Sequence, residues 1–178
     1  MKKIYLPLAV HILALSMAIA SPAFATSKSD IETGLKALPL LTSKIIGDTE
    51  MAIVYDPTNV ASKSDAENIK KIINAGMPVP GGGKLSAILV GVNELGKLSR
   101  VKVAFLTPGL FNYFNDINMA ASAASILTIS TDISCVKAAR CIIGVVTAPS
   151  VAIYYSKEAA DSAKIEFSQA FVLLVKEL

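Results

Sequence analysis

The chain has 178 residues, of which 53% are hydrophobic and 17% charged, with a net charge of +3. It contains two cysteines, one histidine (His11) and no tryptophan. This length suits one domain of ordinary size, and the lack of any basic run argues against a nucleic-acid partner.

The amino terminus has the pattern of a secretory signal peptide. Two lysines follow the first methionine, an apolar stretch spans residues 4–19, and Ala23 and Ala25 supply the small residues that precede a cleavage site. We predict cleavage after Ala25 and export to the periplasm. The alternative is an uncleaved membrane anchor, but the apolar stretch is shorter than the roughly 20 residues of a membrane span and is interrupted by Pro7 and His11.

Residues 26–30 are polar and are expected to be frayed, after which apolar runs typical of buried strands alternate with stretches of helical spacing. This alternation predicts an α/β fold, a single-domain three-layer sandwich over residues 26–178 with a mostly parallel sheet and a C-terminal antiparallel hairpin. In chain order, the predicted elements are a helix at 31–41, strands at 51–55, 85–92 and 101–106, a helix at 111–124, a strand at 126–129, hairpin strands at 142–147 and 151–155, and helices at 156–163 and 168–176. The last helix is expected to place Phe171, Leu174 and Val175 in the core.

The best-defined unit is a strand, a loop and a helix in the first half of the chain. The strand at 51–55 ends at Asp56-Pro57. Ser64-Asp65-Ala66-Glu67 then has the pattern of a capping box, which predicts that a helix begins there. Gly76 supplies the left-handed stop at the end of that helix.

Cys135 and Cys141 form an even pair, and in an oxidising compartment we predict that they are joined by a disulfide bond. The loop that they close is short, so its expected contribution to stability is modest, about 2–3 kcal/mol. Redox sensing and a pair of free thiols are the alternatives. Two thiolates without a histidine do not favour a zinc site.

Cleavage would remove the only histidine, which excludes a Ser-His-Asp arrangement from the mature chain. Lysines close to Ser27, Ser43, Ser62 and Ser156 leave Ser-Lys catalysis formally open, and paired carboxylates stay open as well, although neither shows a distinctive spacing. The run Gly81-Gly82-Gly83-Lys84 lacks the first glycine and the final serine or threonine of a phosphate-binding loop. We therefore predict no enzymatic activity, no metal and no cofactor.

Two segments are better suited to binding. Tyr55, Asp56 and Asn59 lie at the carboxyl end of a predicted strand, where ligands of open α/β sheets settle against helix amides. Asn112 and Tyr113 belong to an aromatic and amide cluster in the second half of the chain. These five residues are our candidate contacts for a ligand or a partner. The alternative is that both segments are structural. The first would then be a well-capped turn between a strand and a helix, and the aromatic residues of the second would pack in the core.

The carboxyl half of the chain carries an ordered series of segments. They are an apolar strand at 84–91, Ile126-Leu127-Thr128-Ile129-Ser130 ahead of the cysteines, 143–145, 151–156, Ala159-Ala160, 165–168 and Leu173-Leu174. This order resembles the YfiR family of periplasmic proteins, in which a Leu-Thr-Val-Ser strand, a glycine-rich turn, a hairpin and a terminal helix with paired leucines follow one another. The chain departs from the family at Ser156, where asparagine is usual, and at Arg140-Cys141, where paired glycines are usual.

The resemblance implies a non-catalytic periplasmic protein whose α/β layout is similar to one lobe of a solute-binding protein. In some members the partner is a membrane-bound diguanylate cyclase. We therefore predict a binding or regulatory protein that contacts an inner-membrane signalling partner. The alternative is a small solute-binding component of an ABC-type uptake system, with a ligand near Asp56, Asn59 or Tyr113 and a transporter permease as partner. A homodimer stays open.

Overall fold

The computed structural model of the protein describes residues 25–178, so His11 and the predicted signal peptide up to residue 24 lie outside the described residues. Within that range, no helix combines the length and the apolar character needed to cross a membrane. The helices are α1 (Lys28–Leu35), α2 (Val60–Asn74), α3 (Phe114–Ala123), α4 (Ile133–Lys137), α5 (Lys157–Ala163) and α6 (Gln169–Val172), with 3-10 turns at Leu38–Leu40, Val92–Arg100 and Phe111–Tyr113. The strands are β1 (Thr49–Tyr55), β2 (Leu85–Gly91), β3 (Val103–Leu106), β4 (Leu127–Ser130), β5 (Ile143–Val146), β6 (Ala152–Tyr155) and β7 (Lys176–Glu177).

The strands form one seven-stranded sheet in the order β2-β1-β3-β4-β5-β6-β7. The first five strands are parallel, and β5 pairs with β6 in the antiparallel sense, which confirms the predicted hairpin. In the parallel part Ile53, Phe105 and Ile129 stand side by side on adjacent strands. From β1 the chain moves to one side to form β2 and then to the other side to form β3, so the strand order reverses at β1 and β3.

Helices cover both faces of the sheet, as predicted for a three-layer sandwich. Because side chains alternate along a strand, Met51 and Ile53 join the core on the side of α1, α2 and α5. Ala52 and Val54 join the core on the side of α3 and α4. A strand that is buried on both faces needs a continuous apolar run, which is the pattern seen at 51–54.

Helix α2 begins four residues before the predicted capping box. Asn59 is the N-cap, and its Oδ1 accepts hydrogen bonds from the backbone N–H groups of Ala61 (3.0 Å) and Ser62 (3.2 Å). Ser64 therefore lies inside the helix. Asparagine caps helices as well as serine does. Ala66, Ile69 and Ile73 of this helix face the core.

The expectation of a frayed start at residues 26–30 is wrong. Helix α1 begins at Lys28, and Ser27 caps it by accepting from the backbone of Asp30 while the Asp30 carboxylate accepts from the backbone of Ser27. Thr26 is only 2% exposed. Ser27 and Asp30 have the Ser-x-x-Asp spacing of a capping box, but the polar character of the segment was interpreted as fraying.

The predicted terminal helix at 168–176 is also wrong in extent. Helix α6 ends at Val172, and the chain then forms β7, which pairs with the free edge of β6. As predicted, Phe171 is buried; its ring stacks on that of Phe167 at a centroid distance of 4.0 Å. Leu174 is 75% exposed, contrary to expectation, because α6 ends at Val172 and the i, i+3 spacing no longer places it on the face of Phe171.

The two cysteines are joined, as predicted. Cys135 lies in α4 and Cys141 lies just before β5, with their Cα atoms 5.3 Å apart and both side chains fully buried. The chain between them turns through Ala139 in the left-handed region, at φ +53°. The disulfide bond therefore ties α4 to the segment that leads into β5.

Candidate functional site

The loops that follow β1 and β3 meet at the carboxyl edge of the parallel strands, where the strand order reverses. Asn59 from the first loop lies against Gly109 of the second. Gly109 has φ +87°, and a Cβ atom at that position would lie 3.0 Å from Asn59 Nδ2. Glycine is therefore needed both for the backbone conformation and for the contact. In open α/β sheets, this reversal is where ligands bind.

A chain of buried hydrogen bonds locks the two loops together. The backbone N–H of Asp56 donates to Ser62 Oγ (3.0 Å), and the Thr107 hydroxyl donates to the carbonyl oxygen of Val54 (3.1 Å). The hydroxyl oxygens of Ser62 and Thr107 are 2.7 Å apart. Since the Thr107 proton is already used, Ser62 is the donor in that contact. Sequence reasoning missed this pair because its members are far apart in the chain and neither belongs to a motif.

The carboxylate of Asp56 is held by its own loop. Its Oδ1 accepts from the hydroxyl (2.7 Å) and the backbone N–H (2.8 Å) of Thr58. The hydroxyl bond is the main reason that the pKa of Asp56 lies below its ordinary value, and the backbone bond adds to it. Asp56 therefore stays ionised and keeps the loop in the shape that presents Asn59 at the start of α2.

The other three candidate residues separate in space. Tyr55 is half-buried and packs against the core on the side of α1 and α2. Tyr113 is also half-buried, but it packs against the core on the opposite face of the sheet. Asn112 is exposed in the short 3-10 turn that begins at Phe111. The structure thus brings Asn59 together with the loop after β3, while the two tyrosines pack against the cores on opposite faces of the sheet.

A groove of about 610 Å³ opens beside this contact. It is lined by polar side chains from α2 and by the turn after β3, among them Asn59, Ser62, Asp65, Asn68, Lys71 and Gly109. A larger depression of about 740 Å³ lies at the opposite, amino edge of the strands and mixes charges of both signs. We take the carboxyl edge as the candidate site because the strand order reverses there. Within residues 25–178, no group of three or more His, Cys, Asp or Glu side chains is placed to hold a metal ion.

Replacing Thr58 with valine is expected to raise the pKa of Asp56 toward its ordinary value, since the strongest of its hydrogen bonds is lost. A carboxyl group whose pKa is lowered by folding stabilises the fold above its unfolded pKa, and that stability is lost as the pH falls through the folded pKa. The stabilisation of the fold by ionised Asp56 should therefore be smaller in the variant, and it should be lost at a higher pH than in the parent. Titration of the Asp56 side-chain carbon by NMR measures this, with Thr42→Val as the control on an exposed threonine. An unchanged Asp56 titration in Thr58→Val would contradict the assignment.

No family model matches the chain, and no curated protein sequence matches it significantly. Several solved structures share the fold at low identity. A conserved domain protein from Vibrio cholerae matches with a TM-score of 0.59 and 14% identity over 84% of this chain. An ABC domain in complex with L-Trp from Streptococcus pneumonia matches with a TM-score of 0.57 and 12% identity, also over 84%.

A third similar structure is a substrate-binding protein with adhesive properties from Clostridium difficile, in a ligand-free, open form. It matches with a TM-score of 0.62 and 11% identity over 87% of this chain. The chain covers 59% of each of the first two proteins and 60% of the third. These comparisons show that the chain shares its α/β fold with these three proteins.

Proposed function

We propose that this protein is a non-catalytic, extracytoplasmic binding protein that holds a small solute at the carboxyl edge of its parallel strands. The observation that carries the proposal is the contact between the loops after β1 and β3, at the reversal of strand order, in a fold shared with a substrate-binding protein. The buried disulfide supports an oxidising compartment such as the periplasm.

The chemistry of the edge favours a solute with a polar head and an apolar body. Asn59 caps α2 through its Oδ1 and presents its Nδ2 as a hydrogen-bond donor. Phe111, immediately after the turn at Gly109, exposes 70% of its surface although it is a large aromatic residue. An amino acid with an aromatic side chain has both features, and one of the similar structures contains L-Trp. We therefore propose aromatic amino acids as the first solutes to test.

Thermal-shift measurements on residues 26–178 with single L-amino acids test this proposal. A true ligand at a hundred times its Kd should raise the melting temperature by about 5–10 °C. Titration calorimetry should then show that Phe111→Ala weakens binding about tenfold, as expected for one lost aromatic contact.

Met119→Ala is the matched control, because Met119 is similarly exposed but lies further along α3, away from the edge. Equal weakening by both substitutions would place the ligand elsewhere. If no amino acid stabilises the protein, the proposed solute class is wrong.

A second candidate function is a YfiR-like regulator that contacts an inner-membrane signalling protein. The observation that favours it is the apolar character of the same edge. Val60, at the start of α2, is 83% exposed, and Val151, before β6, is 64% exposed, so that with Phe111 three loops present an apolar side chain at this edge. A partner that covered these three loops would bury the three side chains together, as protein contacts do with exposed apolar patches.

Photo-crosslinking distinguishes the two candidates. A photoreactive amino acid at position 111 should form an adduct with an integral membrane protein in intact cells, whereas the same amino acid at position 119 should not. A diguanylate cyclase as the cross-linked partner supports the regulator, and a transporter permease supports solute uptake. Adducts at both positions, or at neither, would contradict a specific contact at this edge.

A further inference from the structure

The first residue of the proposed mature chain is held inside the fold by three hydrogen bonds. The backbone nitrogen of Thr26 donates to Asp65 Oδ1 (2.7 Å), and its hydroxyl donates to Asp65 Oδ2 (2.8 Å). Its carbonyl oxygen accepts from Asn68 Nδ2 (3.1 Å). Ala25, one residue earlier, is exposed. Buried contacts therefore begin at the residue that cleavage would make the amino terminus.

While the peptide bond before Thr26 is intact, the groups of Thr26 that bind the carboxylate of Asp65 are neutral. Burial raises the pKa of Asp65, the two donors on Thr26 partly offset this, and the nearby carboxylate of Asp30 raises it further. Within residues 25–178 the ion pairs of the structure involve Glu32, Glu94 and Asp161, not Asp65. A buried carboxylate without a cation is costly, because neutral donors replace only part of its hydration.

We infer that cleavage after Ala25 creates an ammonium group at Thr26 that pairs with the buried carboxylate of Asp65, so that the protein reaches its full stability only after export. In the hydrolysis, water adds to the Ala25 carbonyl carbon while the C–N bond breaks. The nitrogen leaves with Thr26 as an amine, which takes up a proton because its ordinary pKa is about 7.7–8.0. The nitrogen that donates as an amide in the intact chain donates as an ammonium in the mature one.

This arrangement has a consequence for both export and binding. The precursor lacks the ion pair and is therefore easier to keep unfolded before it crosses the membrane, whereas the mature protein gains the pair outside. Asp65 and Asn68 also line the groove beside Asn59. The two side chains that would hold the new terminus therefore form part of the wall of the candidate site.

The inference rests on the proposed cleavage after Ala25. Separate measurements therefore test the cleavage site and the ion pair. Intact mass of the exported protein should show a chain that begins at Thr26; any other start overturns the assignment. The pairing is tested on chains made as fusions and released with defined ends, residues 26–178 and residues 25–178. The extra Ala25 keeps every hydrogen bond of Thr26 but moves the ammonium one residue away. The chain that begins at Thr26 should melt about 2–8 °C higher.

Two further variants show whether Asp65 is the partner. In Asp65→Asn the difference between the two chains should disappear, whereas in Asp116→Asn, an exposed acid on α3, it should persist. Acetylation of the Thr26 amine in the unsubstituted chain should lower the melting temperature to that of residues 25–178, since it keeps an N–H donor and removes the charge. The acetylation measurement still tests the pairing if Asp65→Asn does not fold. Equal melting temperatures for the two unsubstituted chains, or a difference that survives Asp65→Asn, would overturn the pairing.

Discussion

Replacing Phe105 with alanine is expected to lower the free energy of unfolding by about 3–5 kcal/mol, the range found when a buried aromatic residue is truncated and the cavity does not collapse. Phe105 is fully buried in the middle of β3, with Ile53 and Ile129 beside it on the neighbouring strands. Strands on both sides fix the backbone, so the neighbouring side chains cannot close the gap. Urea denaturation of residues 26–178 measures the loss as a lower midpoint at an unchanged slope.

Phe111→Ala provides a control of the same chemical change at an exposed position. Phe111 is 70% exposed, and exposed substitutions usually change stability by less than about 0.5 kcal/mol. Similar losses in the two variants would mean that Phe105 does not occupy the packed position described here. The same control also shows that an effect of Phe111→Ala on binding is not an effect on folding.

Reduction of the Cys135–Cys141 disulfide is expected to lower the free energy of unfolding by about 2–3 kcal/mol, because opening the short loop returns conformational entropy to the unfolded chain. The loss should be concentrated where α4 meets β5, since the bond joins these two elements. Chemical denaturation with and without a reducing agent measures the difference on an unchanged sequence.

The double variant Cys135→Ala/Cys141→Ala is the control for reduction. It should be less stable than the oxidised parent, and the reducing agent should not change it further. A parent protein whose stability does not respond to the reducing agent would contradict the prediction, and so would two free thiols counted in the unfolded, unreduced chain.

The fold class followed from patterns that are local in the chain. The apolar run at 51–55 predicted β1, and the two apolar runs at 142–147 and 151–155 predicted the β5–β6 hairpin. Ser156 predicted the start of α5, where its Oγ accepts from the backbone of Ala159. Each of these signals depends only on neighbouring residues, so a single sequence is enough to detect it.

The errors lie where a distant segment decides the local structure. Thr26 is ordered because Asp65 and Asn68 of α2 bind it. The last residues form a strand because the edge of β6 is free to pair with them. In both cases the partner lies elsewhere in the chain, and local propensity gives no information about it.

The candidate site divides in the same way. The sequence by itself determined that a polar loop after β1 carries Asp56 and Asn59, and that no histidine follows position 25. Only the tertiary structure decided that Asn59 meets Gly109, that Ser62 binds Thr107, and that the two tyrosines face different cores. The physical reason is that the order of parallel strands in a sheet is fixed by the packing of the crossover helices between them. That order, which no local pattern encodes, determines which loops become neighbours.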